Sequence, residues 1–328
     1  AFAYGLTQRL KDAGVSFGDT ERYGAPRRLA VLIRDLGLAQ PDEAFERRGP
    51  AVKAAFDAEG KPTKAAEGFA RGNGVSVDAL ERMETDKGEW LVYRGVEPGK
   101  ATADLLPELV QQTLDALPIP KRMRWGTSRD EFVRPVQWLV MLLGNDVVPA
   151  TVYGIESGRL SRGHRFHAPV DIEISAPAAY AETLRTQGKV LASFNERRDY
   201  IETQAKAVAK AEGVEVVIDP DLLDEVTALN EWPVALLGSF ESRFLSVPAE
   251  ALVSSMQEHQ KYFPTHDSKG ELAPRFVFIA NLESKDPAQV IAGNEKVIRP
   301  RLADAAFFYE NDLREANSGM TAWAEGLN

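Results

Sequence analysis

Two prolines one residue apart, Pro118 and Pro120, constrain this chain more than any other feature. The apolar residues before them, Leu105, Leu106, Leu109, Val110 and Leu114, recur at helical spacing over 102–117, and neither proline has the N–H that would carry the helix on. With 328 residues the chain also exceeds what one hydrophobic core usually serves, so a domain boundary is expected at this break. The expected organisation is an N-terminal α/β domain over 1–117, an α+β domain over 118–300, and the start of a helical connection over 301–328.

Elsewhere the pattern is of short, interleaved elements. Phe2, Leu6 and Leu10 mark an amphipathic helix closed by Gly14; Pro62 and Thr63 start a second helix that Gly72 and Gly74 end. Arg28–Ile33, Gly88–Arg94, Asp171–Ser175, Val234–Leu237 and Arg275–Ala280 have strand length and composition. Helical stretches fall at 178–212, broken near Gly188, and at 249–258 and 290–297, while the Asp219-Pro220 turn leads into Leu222–Val226. The runs 132–143 and 147–154 read either as paired strands or as a helix and a strand, which periodicity cannot separate. The fold class is therefore α+β, a mixed α/β chain of several domains.

The longest apolar run, Val136 to Leu143, falls far short of the roughly 18–20 residues that span a bilayer, so no membrane contact is expected. The absence of cysteine excludes disulfides, thiolate zinc sites and thiol nucleophiles, and agrees with a cytoplasmic location. The 49 acidic residues outnumber the 39 basic ones and leave a net charge of −10, so any nucleic-acid contact must come from a local patch. Phosphate-loop, hydrolase-elbow and zincin motifs are all missing. His164 and His167 are spaced as H-x-x-H without a third ligand nearby, so they read as a hydrogen-bonded loop pair and no metal is expected.

What packing alone would not demand is a series of dense strings of low structural propensity. Pro118-Ile-Pro-Lys-Arg-Met-Arg-Trp-Gly126 runs into Phe132-Val-Arg-Pro-Val136, followed by Ser161-Arg-Gly-His-Arg-Phe166, Glu231-Trp-Pro-Val234, His259-Gln-Lys-Tyr-Phe263 and the segment Gly293 to Asp304. Upstream lie Ala25-Pro-Arg-Arg-Leu-Ala30, Arg48-Gly-Pro50, Ala65-Ala-Glu-Gly-Phe-Ala70 and Asp86-Lys-Gly-Glu-Trp90. In this order they closely resemble the beta subunit of the bacterial glycyl-tRNA synthetase, over nearly the whole chain. Two places depart from the family pattern: Asn230, where an apolar residue is usual, and Asn317-Ser-Gly-Met320 within an expected helix. The family's opening segment, its HD-type helical domain and its anticodon-binding domain have no counterpart here, so the chain reads as an amino-terminal fragment.

The resemblance implies a subunit of glycine–tRNA ligase that binds tRNA(Gly) and docks on the alpha subunit in a heterotetramer, with ATP and magnesium used at alpha and no cofactor in this chain. It also implies a region within 121–300 similar to the B3/B4 module of the phenylalanyl-tRNA synthetase beta subunit. No catalytic residue is expected in the fragment; the alternatives are an editing-type hydrolase of misacylated tRNA and a pure assembly scaffold.

Candidate RNA contacts fall in clusters. Lys121, Arg122, Arg124 and Arg129 surround Trp125, pairing phosphate-seeking cations with a stacking surface; the alternative is a solvated loop with Trp125 plugging the domain junction. Arg162, His164 and Arg165 flank Gly163, either as guanidinium donors to RNA or as arginines anchored to buried carbonyls and carboxylates. Lys296, Arg299 and Arg301 form a third cluster, with Glu295 and Asp304 expected to neutralise it. Lys261 follows His259 and Gln260 at a fourth position, while Trp232 and the Phe307-Phe308-Tyr309 run are expected to pack.

Overall fold

The computed structural model describes residues 1–86 and 88–317. The described residues divide into two compact units, one of residues 1–19 and 33–120, the other of residues 20–32 and 121–317. The segment 20–32, placed with the first domain from sequence, belongs to the second unit, because hydrophobic residues of its hairpin, Tyr23 and Leu32, are buried there with Ile172, Ile174 and Leu184.

In the first unit, helices Phe2–Asp12 and Thr102–Asp115 bury Leu6 and Leu10 on one and Leu106 and Val110 on the other. Gly14, at φ 72°, ends the first helix in the left-handed conformation that glycine adopts without strain. A three-stranded antiparallel sheet places Gly88–Glu97 between Glu43–Ala51 and Glu81–Thr85. Helix Lys64–Gly72 packs on it, with Ala55, Ala66 and Leu91 at the contact. A Cβ on Gly49 would sit 2.5 Å from the Phe69 ring, and the Arg48 guanidinium lies 3.7 Å over Trp90. Three of the unusual upstream strings therefore interlock in one packing arrangement; Lys87, within one of them, lies outside the described residues.

The second unit is organised around an antiparallel sheet in the order Glu215–Val216, Phe263–His266, Leu272–Ala280, Val234–Ser239. The alternation in Arg275-Phe-Val-Phe-Ile-Ala280 sends successive side chains to opposite faces. Val277 joins Phe263, Ile201, Ala205 and Leu223 beneath helices Phe194–Ala211 and Pro220–Leu229. Phe276 and Phe278 join Leu252, Met256, Tyr262, Ile298 and Leu302 beneath helices Ala249–Gln260 and Pro287–Asn317.

Two expectations are corrected, and one left open is decided. Of the two readings of the runs 132–143 and 147–154, the structure takes the paired strands, Leu142–Leu143 against Asp146–Val147, but each strand there is only two residues long, because Pro135 and Pro149 lack a ladder donor and Gly144 and Gly154 turn the chain at φ 60° and 73°. The break at 300/301 falls inside the helix Pro287–Asn317, which continues through Pro300. Phe307 and Phe308 do not pack: they are 60% and 64% exposed, since Ile298, Leu302, Ala306 and Tyr309 form the inward stripe of that helix. Of the two departures from the family pattern, Asn230 is buried and its Nδ2 donates to the Val226 carbonyl at 2.7 Å, whereas Ser318, Gly319 and Met320 lie outside the described residues. Among the described residues no helix is long and apolar enough to cross a membrane.

Candidate nucleic-acid interface

The most heavily charged buried point of the second unit is Glu231, whose side chain is 3% exposed. It follows helix Pro220–Leu229 and precedes strand Val234–Ser239, a position where Pro233 prevents the helix from continuing. Arg28 Nη1 donates to Glu231 Oε1, and Arg27 Nη2 donates to Oε2 at 2.8 Å while its Nε spans both oxygens at 3.2 and 3.3 Å. The two arginines also reach backbone: Arg28 Nη2 donates to the Arg162 carbonyl, and Arg27 Nη2 to the Gly163 carbonyl at 2.8 Å. Two guanidinium groups against one carboxylate leave the node with a net positive charge. Burial lowers the pKa of Arg28, with Glu231 opposing that shift, and burial pushes the Tyr180 hydroxyl up to about 12.

This node holds the turn 163–168. Gly163 approaches Ala168 so closely that a Cβ would lie 2.1 Å from its carbonyl oxygen. His164 is buried; its Nδ1 accepts from the Phe166 and His167 amides at 3.3 Å, so Nε2 carries the hydrogen and donates to the Asn281 carbonyl at 2.9 Å. His167 Nε2 accepts in turn from the Glu283 amide at 2.9 Å. The histidine pair is thus a loop brace, and among the described residues no group of three or more His, Asp or Glu is placed to hold a metal. At the tip, Arg165 is exposed and Phe166 is 72% exposed.

Burial lowers the pKa of His164 below that of a free imidazole, outweighing its hydrogen bond to Asn281 and the Glu231 charge; His167 and Arg27 lower it further. The unfolded chain therefore binds a proton near pH 6.5 that the folded one refuses. Stability should be retained above that pH and fall as pH drops below it, and His164→Gln should flatten this part of the curve. Denaturation midpoints from pH 7.5 to 5 measure it; an unchanged pH slope in the variant would assign the loss to other groups.

The other candidates are distributed over this unit. Arg124 pairs with Glu131 at 2.6 Å across a two-stranded hairpin, and Arg122 Nη1 donates to the Glu131 carbonyl at 3.5 Å, so the cluster is not free of acids as its sequence implies. Trp125 meets Tyr153 edge-on at 6.3 Å, and Lys121 and Arg129 are exposed. Arg162 is exposed, 3.6 Å from Asp171. Lys261 pairs with Glu225 at 2.9 Å, and Tyr262 behind it is buried against Phe276. Arg299 pairs with Glu241 at 2.7 Å rather than with the expected Glu295, which accepts from Ser239; Lys296 and Arg301 are exposed. Sequence reasoning missed Arg27, Arg28, Glu231 and Asn281 as site residues. The available signal was that Ala25–Ala30 and Glu231–Val234 are both unusual strings, but nothing local joins residues 204 positions apart.

A family model described as glycyl-tRNA synthetase beta subunit matches residues 1–327. The chain belongs to the glycyl-tRNA synthetase beta subunit family. Among beta subunits of this family, it is 60% identical to the glycine–tRNA ligase beta subunit of Marinobacter nauticus over 315 residues, 96% of this chain and 46% of that protein. The corresponding proteins of Chromohalobacter salexigens and Hahella chejuensis are 57% and 55% identical, over 98% and 96% of this chain and 47% and 45% of their own lengths. The chain thus spans about half the length of the beta subunits it matches.

Proposed function

We propose that this chain supplies part of the tRNA-binding surface of glycine–tRNA ligase and docks on the alpha subunit, which carries out glycylation with ATP and magnesium in a cytoplasmic heterotetramer. The observation that carries the reading is the net-positive node of Arg27, Arg28 and Glu231, which fixes a turn displaying Arg165 and Phe166 to solvent. Phosphates are met by guanidinium groups and unpaired bases by aromatic faces, and a prearranged turn offers both without an ordering cost. Lys121, Arg129, Lys296 and Arg301 add exposed cations in the same unit. Arg122 donates to a backbone carbonyl, and Arg124, Arg162, Lys261 and Arg299 hold ion pairs within the protein that are solvent-accessible and weak enough for a phosphate to displace. The similarity of residues 121–300 to a B3/B4 module is part of this proposal.

The hydrolase alternative needs a base free to activate water. Both His164 nitrogens are engaged and the Glu231 oxygens are occupied by arginines, which favours binding. The whole beta chain, free of alpha, should bind tRNA(Gly) while showing neither glycine-dependent pyrophosphate exchange nor deacylation of mischarged tRNA. Failure to bind tRNA would support the scaffold reading, deacylation would support editing, and exchange would contradict the division of labour.

A further inference from the structure

Beside the Arg165–Phe166 turn lies a cavity of about 220 Å³, lined by Arg27, His164, Arg165, Phe166, Glu231 and Asn281. Its hydrogen-bonding capacity is one-sided. Asn281 Oδ1 accepts from the Glu231 and Trp232 amides at 2.7 and 3.0 Å, which fixes the amide orientation and leaves the two Nδ2 hydrogens with no partner among the described residues. Arg27 uses Nε and Nη2 on Glu231 and Gly163 and leaves Nη1 unengaged. Arg165 is exposed and has no hydrogen bond or ion pair among the described residues. The side-chain acceptors are engaged: Glu231 oxygens by Arg27 and Arg28, and His164 Nδ1 by two amides, while the Asn281 backbone carbonyl accepts from His164.

A cavity whose side chains offer free donors and engaged acceptors suits a ligand group that only accepts, and phosphate does so with its full charge. The volume lies below the roughly 300–1,000 Å³ of sites for drug-sized molecules, which limits the occupant to a small unit. Phe166, 72% exposed at the rim, provides a flat apolar face. We infer that the cavity between Arg27, Arg165 and Asn281 receives the phosphate of a single unpaired nucleotide whose base stacks on Phe166. The inference rests on the tRNA-binding reading and narrows it to one strand feature; the phosphate could equally come from an RNA strand or from a free mononucleotide.

The test uses the full-length beta chain without alpha, so that no adenylate site competes, and a fluorescent single-stranded RNA tetranucleotide read by anisotropy. Wild-type protein should bind it. Phe166→Ala should weaken binding by about fivefold to a hundredfold, the range of base–aromatic stacking, and Arg165→Glu should also weaken it severalfold. Both positions are exposed, so folding should be unaffected, as unchanged denaturation midpoints would verify. Displacement by adenosine monophosphate at comparable concentration assigns the cavity to a free nucleotide, and displacement only by unlabelled oligonucleotide assigns it to an RNA strand; both uphold the inference. Absence of binding, or binding that neither variant weakens, overturns it. Retained tRNA(Gly) affinity in that case leaves the broader reading standing.

Discussion

Glu231→Ala is expected to destabilise the second unit by about 3–5 kcal/mol, the cost of removing one partner from a buried ion pair. The loss exceeds that of the contacts themselves, because Arg28, with a side chain 2% exposed, keeps its charge while losing its counter-charge. Arg28 Nε already has no hydrogen-bond partner, so the site has little capacity to reorganise. The exposed Arg185–Glu182 pair, at 2.9 Å and one helical turn apart, provides the contrast: solvent screens it, and its removal should leave the denaturation midpoint nearly unmoved. Urea denaturation of the two alanine variants measures both effects. Similar small losses would show that the node is solvated and does not anchor the turn.

The second large effect is on RNA. Arg165→Glu removes an unpaired cation and places a like charge against the phosphate backbone, so tRNA(Gly) affinity of the assembled ligase should fall by about tenfold or more at low salt. Arg124→Ala should have a smaller effect, because its guanidinium is already matched to Glu131 and its removal frees that carboxylate without introducing a new repulsion of equal size. Glycine activation by alpha should be unchanged in both variants. A larger loss for Arg124→Ala would shift the interface to the Lys121–Arg129 segment.

The elements were legible where local rules decide them. Arg275–Ala280 is a short, almost continuous apolar run of strand length and forms a central strand whose two faces feed separate cores. At Asp219-Pro220 only a turn was expected, whereas Asp219 accepts from the Leu222 amide at 2.8 Å and Pro220 opens the helix Pro220–Leu229. The site was legible only in part. Arg162, His164 and Arg165 stand out as candidates in their own string, but their turn is held by Arg27, Arg28, Glu231 and Asn281, which only tertiary folding brings there, and His164 is a buried brace. Charge counted along the chain misled at Arg124, where Glu131 lies opposite across a hairpin. Aromatic composition misled at Phe307 and Phe308, because helical phase, set by Ile298 and Leu302, determines which residues face inward.

The central claim is that an exposed cation on a buried charged scaffold meets RNA, and the salt dependence of tRNA(Gly) binding tests it most directly. The logarithm of the association constant should fall linearly with the logarithm of salt for the wild-type ligase, with a slope set by the number of phosphates neutralised. In Arg165→Glu the slope should be shallower by roughly one unit or more, with assembly and glycine activation intact. An identical slope and affinity in the correctly assembled variant would contradict the account and make the turn a structural brace.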